Sequence, residues 1–357
     1  NPEVREAIKD VMRFWLDMGV DGFRVDAVYF MGKDPLLTDN PPNPHYQDGE
    51  GAQSYHSLLH VNSQQWPMVY PYLNEMADVL KEEKYQHKHR FMVTEAYAEH
   101  HNHVASYMAF YVGMDPKVAA PFNFEGISLP WEAQPWKEFL HAFHTTIDHF
   151  SPYCVPSYAF GNHDQPRLID RLGHAEAARG AAVMLLTLPG MAFIYYGEEI
   201  GMHNVEIPQE YVHDPAALGN PGGFTGRDPE RTPMQWTPGK YGGFTEGEPW
   251  LPLAADYREV NVEVEEKDPG SFLSLYRALG KLRHDELAFK IGSFKVIDTG
   301  SPEVLGYVRE DETGKAFLVL INFAAFIATC HLKHEPKKLI ISSKPDSIIN
   351  VHNKLVL

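Results

Sequence analysis

Cysteine is scarce in this sequence of 357 residues. The two cysteines, Cys154 and Cys330, lie far apart, which is not the pattern of a disulfide framework. Two reduced thiols are the simpler interpretation, and they are typical of a reducing compartment. We therefore expect a cytoplasmic protein.

Long apolar runs and an excess of basic residues are also missing. The longest apolar stretch, around Ala181–Tyr196, is interrupted by Thr187, Pro189 and Gly190, so we expect no transmembrane helix. Lys and Arg number 31 against 48 Asp and Glu, which gives a formal net charge of −17. A chain this acidic is poorly suited to nucleic acid or an anionic membrane, whereas a neutral sugar is a compatible partner.

The sequence contains enough apolar residues, 44%, for a large core, and its length predicts two domains. Segments with helical periodicity alternate with short apolar runs, and this alternation predicts a parallel sheet covered by helices. The predicted helices are 3–18, 67–82, 136–149, 175–188 and 271–284, and the predicted strands are 22–28, 90–96, 121–124, 155–160 and 191–196.

The pattern changes after these repeated units. Residues 203–266 are rich in Gly and Pro, which predicts a long irregular excursion from one end of the sheet. From about Ala288, strand-like runs at 293–298, 305–309 and 317–323 predict a small antiparallel domain. We therefore predict a larger α/β domain over residues 1–287 and an all-β domain over residues 288–357.

Three carboxylates follow apolar strands: Asp26 in GFRVDAV, Glu95 in FMVTEAYA and Asp164 in FGNHDQPR. In a closed parallel barrel the carboxyl ends of all strands meet on one rim, where active sites lie. Glycoside hydrolysis needs such acids, one to attack the anomeric carbon and one to protonate the leaving oxygen. Arg24 is two residues before Asp26, so we expect it to point the same way and to hold Asp26 ionised.

Each acid taken alone has another interpretation, as a helix cap or a surface ion-pair partner. Asp164, which precedes Gln165 and Pro166, has the pattern of a cap. Three acids at equivalent strand ends favour the catalytic interpretation.

These segments resemble the α-amylase superfamily of glycoside hydrolases (glycoside hydrolase family 13), which are (β/α)8 TIM barrels acting on α-glucosidic bonds. GFRVDAV, VTEAYA and FGNHDQPR are similar, in order, to motifs of the fourth, fifth and seventh strands, and PGMAFIYYGEEIGM is similar to the eighth. GRDPERTPMQW resembles a signature of the oligosaccharide α-glucosidase (maltase-like) branch. The resemblance implies a (β/α)8 barrel, with strands four to eight visible, followed by a C-terminal antiparallel β domain.

The resemblance implies a retaining mechanism in which Asp26 is the nucleophile, Glu95 the general acid/base and Asp164 the transition-state stabiliser. The implied reaction releases glucose from the non-reducing end of maltose-like oligosaccharides or sucrose. The same acids also serve relatives that transfer or isomerise glucosyl units, as trehalose synthases do. Some other amylase-like chains are inactive binding subunits, but these have usually lost the catalytic acids.

Further residues are implied to contact the sugar. Arg24 and His163 would line the subsite for the glucose ring, and Arg227 would help to bind the terminal glucose, whereas Arg231 is interpreted as structural. Ala27 follows the nucleophile at a position where members that prefer α-1,6 links often carry Val, so Ala27 favours α-1,4 links or sucrose.

The sequence departs from the family at its start. Counterparts of the first three strands are missing, so we expect an N-terminally truncated member, which alone can be inactive. The family often holds a calcium or magnesium ion in the first βα loop; because that loop is missing too, we expect no metal, and no cofactor is implied. His100, His101 and His103 are interpreted as a solvated loop, and Glu198–Glu199 as a strand-end pair that bonds backbone or Arg. The oligomeric state stays open.

Overall fold

The computed structural model describes residues 1–46, 55, 57–97, 103–150, 154–219, 226–333, 336–344 and 355–356. The chain divides into two compact units. One comprises Asn1–Asn123 and Thr145–Pro156, and the other comprises Phe124–His144 and Ser157–Leu357.

The first unit is built from βα repeats around a parallel sheet. Its elements are α1 (Pro2–Asp17), β1 (Gly22–Val25), α2 (Val69–Leu80), β2 (Phe91–Thr94), α3 (His103–Gly113) and β3 (Ala119–Pro121). The three strands are parallel in the order β1-β2-β3, with Arg24 opposite Val93 and Met92 opposite Ala119. The core joins Leu16 of α1, Leu73 of α2 and Phe110 of α3, all of which are buried.

Local sequence explains the start of α1. The Asn1 side chain accepts a hydrogen bond from the backbone N–H of Glu3, and Pro2 occupies the first helical position, where its missing N–H costs nothing. By contrast, α3 was not predicted, because its sequence HVASYMAFYVG is apolar on most faces and shows no helical stripe. Since His103 begins α3, its interpretation as part of a loop is wrong, and His100 and His101 lie outside the described residues.

The chain continues with a second set of alternating elements: α4 (Glu125–Ser128), α5 (Ala133–Phe150), β4 (Ser157–Ala159), α6 (Leu168–Leu172), α7 (Ala175–Thr187), β5 (Met191–Phe193), α8 (Pro215–Leu218), α9 (Val262–Glu265), α10 (Phe272–Asp285) and α11 (Leu287–Lys290). Strands β4 and β5 are parallel, with Tyr158 opposite Ala192. The 3-10 helices are Val28–Phe30, Glu198–Ile200, Gln209–Tyr211, Asp228–Glu230 and Lys240–Gly243. In the described part of residues 203–266 the only regular elements are helices of three or four residues, as the Gly- and Pro-rich sequence predicts.

The C-terminal strands are antiparallel, as predicted. Strands β6 (Ser293–Ile297), β7 (Val304–Glu310) and β8 (Ala316–Asn322) pair in the order β6-β7-β8. Strand β9 (Thr329–Cys330) pairs antiparallel with β10 (Leu355–Val356). The domain boundary between residues 287 and 288 stays a prediction.

The described residues also bear on the predictions about cysteines and membrane helices. Cys154 and Cys330 are both free thiols. Within the ranges that the structure describes, every helix is too short or too polar to cross a membrane.

Candidate active site

Asp26 is the first residue beyond β1, and the backbone turns sharply after it. Ala27 adopts the left-handed conformation, with φ 43° and ψ 41°, and leads into the 3-10 helix Val28–Phe30. A positive φ strains a residue that carries a Cβ, so the surroundings must hold this turn in place.

Glu95 holds the turn with its backbone and its side chain. Its N–H donates to the carbonyl of Val25 over 2.8 Å, and its carbonyl accepts from the N–H of Val28 over 3.2 Å. Its Oε2 accepts from the N–H of Ala27 over 2.8 Å. The residue that follows β2 therefore fixes the residues that follow β1, as parallel pairing of the two strands requires.

Arg24 bridges the two carboxylates. Its Nη1 donates to Oδ1 of Asp26, and its Nη2 lies 3.1 Å from Oε2 of Glu95. The side chain of Asp26 is 74% exposed, whereas that of Glu95 is only 8% exposed. We call Arg24, Asp26 and Glu95 the Glu95 cluster.

The pKa of Glu95 lies above its ordinary value. Burial is the main cause, because it removes water from the charged form, and a hydrogen bond with the carboxyl of Asp26 raises the pKa further. The N–H of Ala27 and the charge of Arg24 act in the opposite direction. Glu95 therefore keeps a proton to higher pH than an ordinary glutamic acid.

A second group of residues surrounds Asp164. Nη1 of Arg227 and Nη2 of Arg231 both donate to Oδ1 of Asp164, over 2.9 and 2.8 Å. Nε2 of His163 lies 3.4 Å from Oδ2 of Asp164, and Nε of Arg231 donates to the carbonyl of His163. We call His163, Asp164, Arg227 and Arg231 the Asp164 cluster.

Asp164 does not cap a helix in this structure. Helix α6 begins at Leu168, its N-cap residue is Arg167, and no side chain caps it. The carboxylate of Asp164 instead binds two guanidinium groups, which is the environment of a residue held in one orientation.

The structure thus brings Arg24, Asp26 and Glu95 together, and separately brings His163, Asp164 and Arg227 together. Sequence reasoning gave Arg231 a structural part, whereas its guanidinium contacts Asp164 as directly as that of Arg227 does. The sequence did contain a signal for this contact: the two arginines flank the short helix Asp228–Glu230, which places them one on each side of it.

Sequence reasoning missed Asp214. Its carboxylate accepts from Nε and Nη2 of Arg227, over 2.8 and 3.0 Å. Asp214 lies in the irregular excursion, where no periodicity predicts which side chains meet, and its only local signal is a cap before Pro215.

The pair Glu198–Glu199 follows β5. The prediction that both residues bond backbone or Arg holds for Glu199 only. Oε2 of Glu199 accepts from the backbone N–H of Gly197 over 2.7 Å, as a strand-end residue would. The carboxylate oxygens of Glu198 are buried without a hydrogen-bond partner among the described residues, and burial raises its pKa to about 8. Across the described ranges, no group of three His, Cys, Asp or Glu residues is arranged to hold a metal ion.

Comparisons with known proteins identify the family. The model of the α-amylase catalytic domain matches residues 1–292. An oligo-1,6-glucosidase of Parageobacillus thermoglucosidasius is 30% identical over 384 aligned positions, which cover 96% of this chain and 64% of that protein. An α-glucosidase of Apis mellifera is 32% identical over 95% of this chain and 58% of that protein.

The crystal structure of an α-glucosyl transfer enzyme, XgtA, matches all of this chain with a TM-score of 0.85 and 31% identity, and the match covers 66% of that structure. The chain therefore spans 58–66% of the length of these three relatives. The fold class is that of the α-amylase (β/α)8 barrels with a C-terminal antiparallel sheet, while the assignment of individual strands as four to eight stays a prediction. The chain belongs to the α-amylase catalytic-domain family.

Proposed function

We propose that this chain carries the catalytic acids of a retaining α-glucosidase. The observation that supports the proposal is the Glu95 cluster, in which a buried, proton-retaining carboxyl contacts an exposed carboxylate and one arginine bridges both. Retaining glycosidases use one protonated acid and one ionised nucleophile in this way.

The spacing of the two carboxyls favours retention over inversion. Inverting enzymes keep their two acids about 6.5–9.5 Å apart to admit a water molecule, whereas retaining enzymes keep them about 5–5.5 Å apart. One guanidinium contacts both acids: Nη1 of Arg24 donates to Asp26 and Nη2 lies 3.1 Å from Glu95, which keeps the two carboxyls close together.

In the proposed reaction, Asp26 attacks the anomeric carbon while Glu95 donates its proton to the leaving glycosidic oxygen. This step forms a covalent glucosyl ester on Asp26 and releases the aglycone as an alcohol. Glu95, now ionised, takes a proton from water, whose oxygen attacks the anomeric carbon and frees Asp26. The exposure of Asp26 suits the nucleophile and the burial of Glu95 suits the acid.

The other predicted residues bind and orient in this proposal. Arg24 binds the carboxylate of Asp26, and its charge opposes the effect of burial on the pKa of Glu95. Asp164 accepts hydrogen bonds from sugar hydroxyls and stabilises the cationic transition state, and His163 and Arg227 bind the glucosyl ring. The names of the relatives, which include oligo-1,6-glucosidase and α-glucosidase, support a glucosyl substrate and leave α-1,4 and α-1,6 links open.

Two substitutions test these roles on 4-nitrophenyl α-glucoside and maltose. Asp26→Asn should abolish turnover of both substrates, because an amide cannot form the glucosyl ester. Glu95→Gln should lower kcat/KM on maltose by about 10²–10⁴-fold. It should lower kcat/KM for the nitrophenyl glucoside much less, because kcat/KM reports the first step, in which nitrophenolate leaves without a proton.

The matched control is Asp21→Asn, which makes the same change at an exposed aspartate just before β1 and should leave kcat unchanged. Wild-type-like kcat in Asp26→Asn would remove the nucleophile assignment. An equal loss of kcat/KM on both substrates in Glu95→Gln would remove the acid assignment.

Glucosyl transfer is the second candidate, because XgtA, at a TM-score of 0.85, is described as an α-glucosyl transfer enzyme. The ester on Asp26 would then react with a sugar hydroxyl rather than water. Chromatography of products from maltose and from sucrose decides. Glucose alone from maltose, and glucose with an equal amount of fructose from sucrose, support hydrolysis, whereas longer or isomerised saccharides support transfer.

A further inference from the structure

We propose that Asp214 is a positioning residue of the Asp164 cluster, which fixes the guanidinium of Arg227 and through it the carboxylate of Asp164. The catalytic consequence of this inference rests on the proposed function, whereas the network itself rests on geometry alone. We call Asp228, Asp214, Arg227 and Asp164 the Asp214 network.

Asp214 accepts three hydrogen bonds from Arg227. Its Oδ2 accepts from Nε and from the backbone N–H of Arg227, both over 2.8 Å, and its Oδ1 accepts from Nη2 over 3.0 Å. Two parallel bonds between a carboxylate and the planar guanidinium fix the plane of the guanidinium. The remaining nitrogen, Nη1, is the one that donates to Oδ1 of Asp164.

Asp214 is itself held firmly. Its side chain is 0% exposed, and its Oδ1 also accepts from the N–H of Ala216 at the start of α8. Its backbone N–H and that of His213 both donate to Oδ2 of Asp228, over 2.9 and 2.6 Å. Asp228 is buried as well, so the anchor does not depend on mobile surface side chains.

Gly226 permits this close packing. Its φ is +82°, and a Cβ added there would lie 3.0 Å from Cβ of Asp214 and 2.9 Å from Cβ of Ala217. Any side chain at position 226 would push Asp214 away from the backbone of Arg227. All three residues of the GRD segment (226–228) therefore help to place Asp214 against Arg227.

The charges within the Asp214 network support the same conclusion. Hydrogen bonds from Arg227 hold the pKa of Asp214 far below its ordinary value, so Asp214 stays ionised throughout the neutral range. Arg227 and Arg231 both donate to Oδ1 of Asp164, whereas Oδ2 lies 3.4 Å from Nε2 of His163. Without Asp214, Arg227 could rotate and Asp164 would lose one of its two constraints.

A purely local role is the competing explanation, since Asp214 caps the four-residue helix α8. Asp214→Ser separates the two roles, because serine can still accept from the N–H of Ala216 but cannot clamp a guanidinium. Asp214→Asn removes the charge at nearly constant shape. We expect both variants to lower kcat/KM for 4-nitrophenyl α-glucoside about 10–100-fold.

The decisive measurement is a double-mutant cycle with Arg227→Met. If Asp214 acts through Arg227, Asp214→Asn should change kcat/KM less than about twofold in the Arg227→Met background. Asp311→Asn is the control, because Asp311 also accepts backbone N–H bonds in a turn and has no arginine partner among the described residues. Wild-type kcat/KM in Asp214→Ser, or fully additive losses in the cycle, would overturn the inference.

A second measurement decides the matter even if the chain hydrolyses no α-glucoside, an outcome that removes the proposed function alone. Asp214→Asn and Asp164→Asn should lower the melting temperature non-additively, and this coupling should vanish when Arg227 is Met. Additive shifts in the presence of Arg227 would show that Asp214 does not act on Asp164.

Discussion

At the residue scale, Ala27 is under backbone strain next to the proposed nucleophile. Its φ of 43° is a conformation that glycine adopts freely and that costs other residues about 1–2 kcal/mol. Three hydrogen bonds between Glu95 and the backbone of Val25, Ala27 and Val28 hold the segment in this turn. The strain therefore belongs to the structure that places Asp26 against Glu95.

We expect Ala27→Gly to raise the free energy of unfolding by up to about 1 kcal/mol, because the strain is relieved. Ala27→Val should lower it by about 1–2 kcal/mol, since a branched Cβ tolerates this region least. Urea denaturation measures both. Ala7→Gly in α1 is the control, because the same change in an exposed helix should cost about 1 kcal/mol. Equal signs for the two glycine variants would contradict the argument.

Sequence reasoning at this scale reached Arg24, Asp26 and Glu95, because all three follow from strand polarity and short motifs. It did not reach the left-handed backbone of Ala27, which depends on Glu95, 68 residues away. It also did not identify Asp214, because a Gly- and Pro-rich segment without periodicity separates Asp214 from its partner Arg227. Motifs give residue types, whereas contacts across irregular backbone require the fold.

At the scale of elements, apolar periodicity predicted the larger helices and the strands well. Strand β3 lies at Ala119–Pro121, ahead of the predicted 121–124, because apolar residues continue beyond the end of pairing into α4. Helix α3 escaped because a helix that is apolar on most faces has no stripe to detect. The burial of Arg309, the penultimate residue of β7, was also not predicted.

Arg309 joins several elements through their carbonyl groups. It donates to the carbonyls of Thr187 at the end of α7 (2.7 Å), Gly292 before β6 (3.1 Å) and Ser293 in β6 (3.1 Å). Burial lowers its pKa to about 10, so it stays charged at neutral pH. These carbonyls lose their bonds if the guanidinium is removed.

Arg309→Met should therefore lower the free energy of unfolding by about 3–5 kcal/mol, because buried acceptors would be left unsatisfied. Guanidinium denaturation measures the loss. Arg277→Met on α10 is the control; it removes an exposed arginine that pairs with Glu266 and should cost at most about 1 kcal/mol. Comparable losses in the two variants would mean that Arg309 does not join these elements.

At the scale of the whole molecule, buried glutamates tie stability to pH. Burial raises the pKa of Glu198 to about 8 and those of Glu230 and Glu265 to about 7. In each case the folded protein holds a proton that the unfolded chain releases near pH 4.5. Their contribution to stability is therefore complete below about pH 4.5 and declines as pH rises through about 7–8. The formal net charge of −17 is reached only when these glutamates are ionised, so their ionisation also increases the repulsion between like charges.

Glu198 is the strongest of these groups, and its replacement tests the argument. Glu198 follows β5 in the chain. The charges of Arg171 and Arg167 favour its ionised form but do not outweigh the effect of burial on its pKa. Glu198→Gln keeps the shape of the protonated acid and never ionises. At pH 9 the variant should be more stable than the wild type by about 2–4 kcal/mol, and at pH 5 the two should agree within about 1 kcal/mol. Thermal unfolding at both pH values measures the difference, with exposed Glu210→Gln as the control that should change little at either pH. If Glu198→Gln were equally stabilising at pH 5 and pH 9, its effect would come from packing, and ionisation of Glu198 would not be what weakens the protein in alkali.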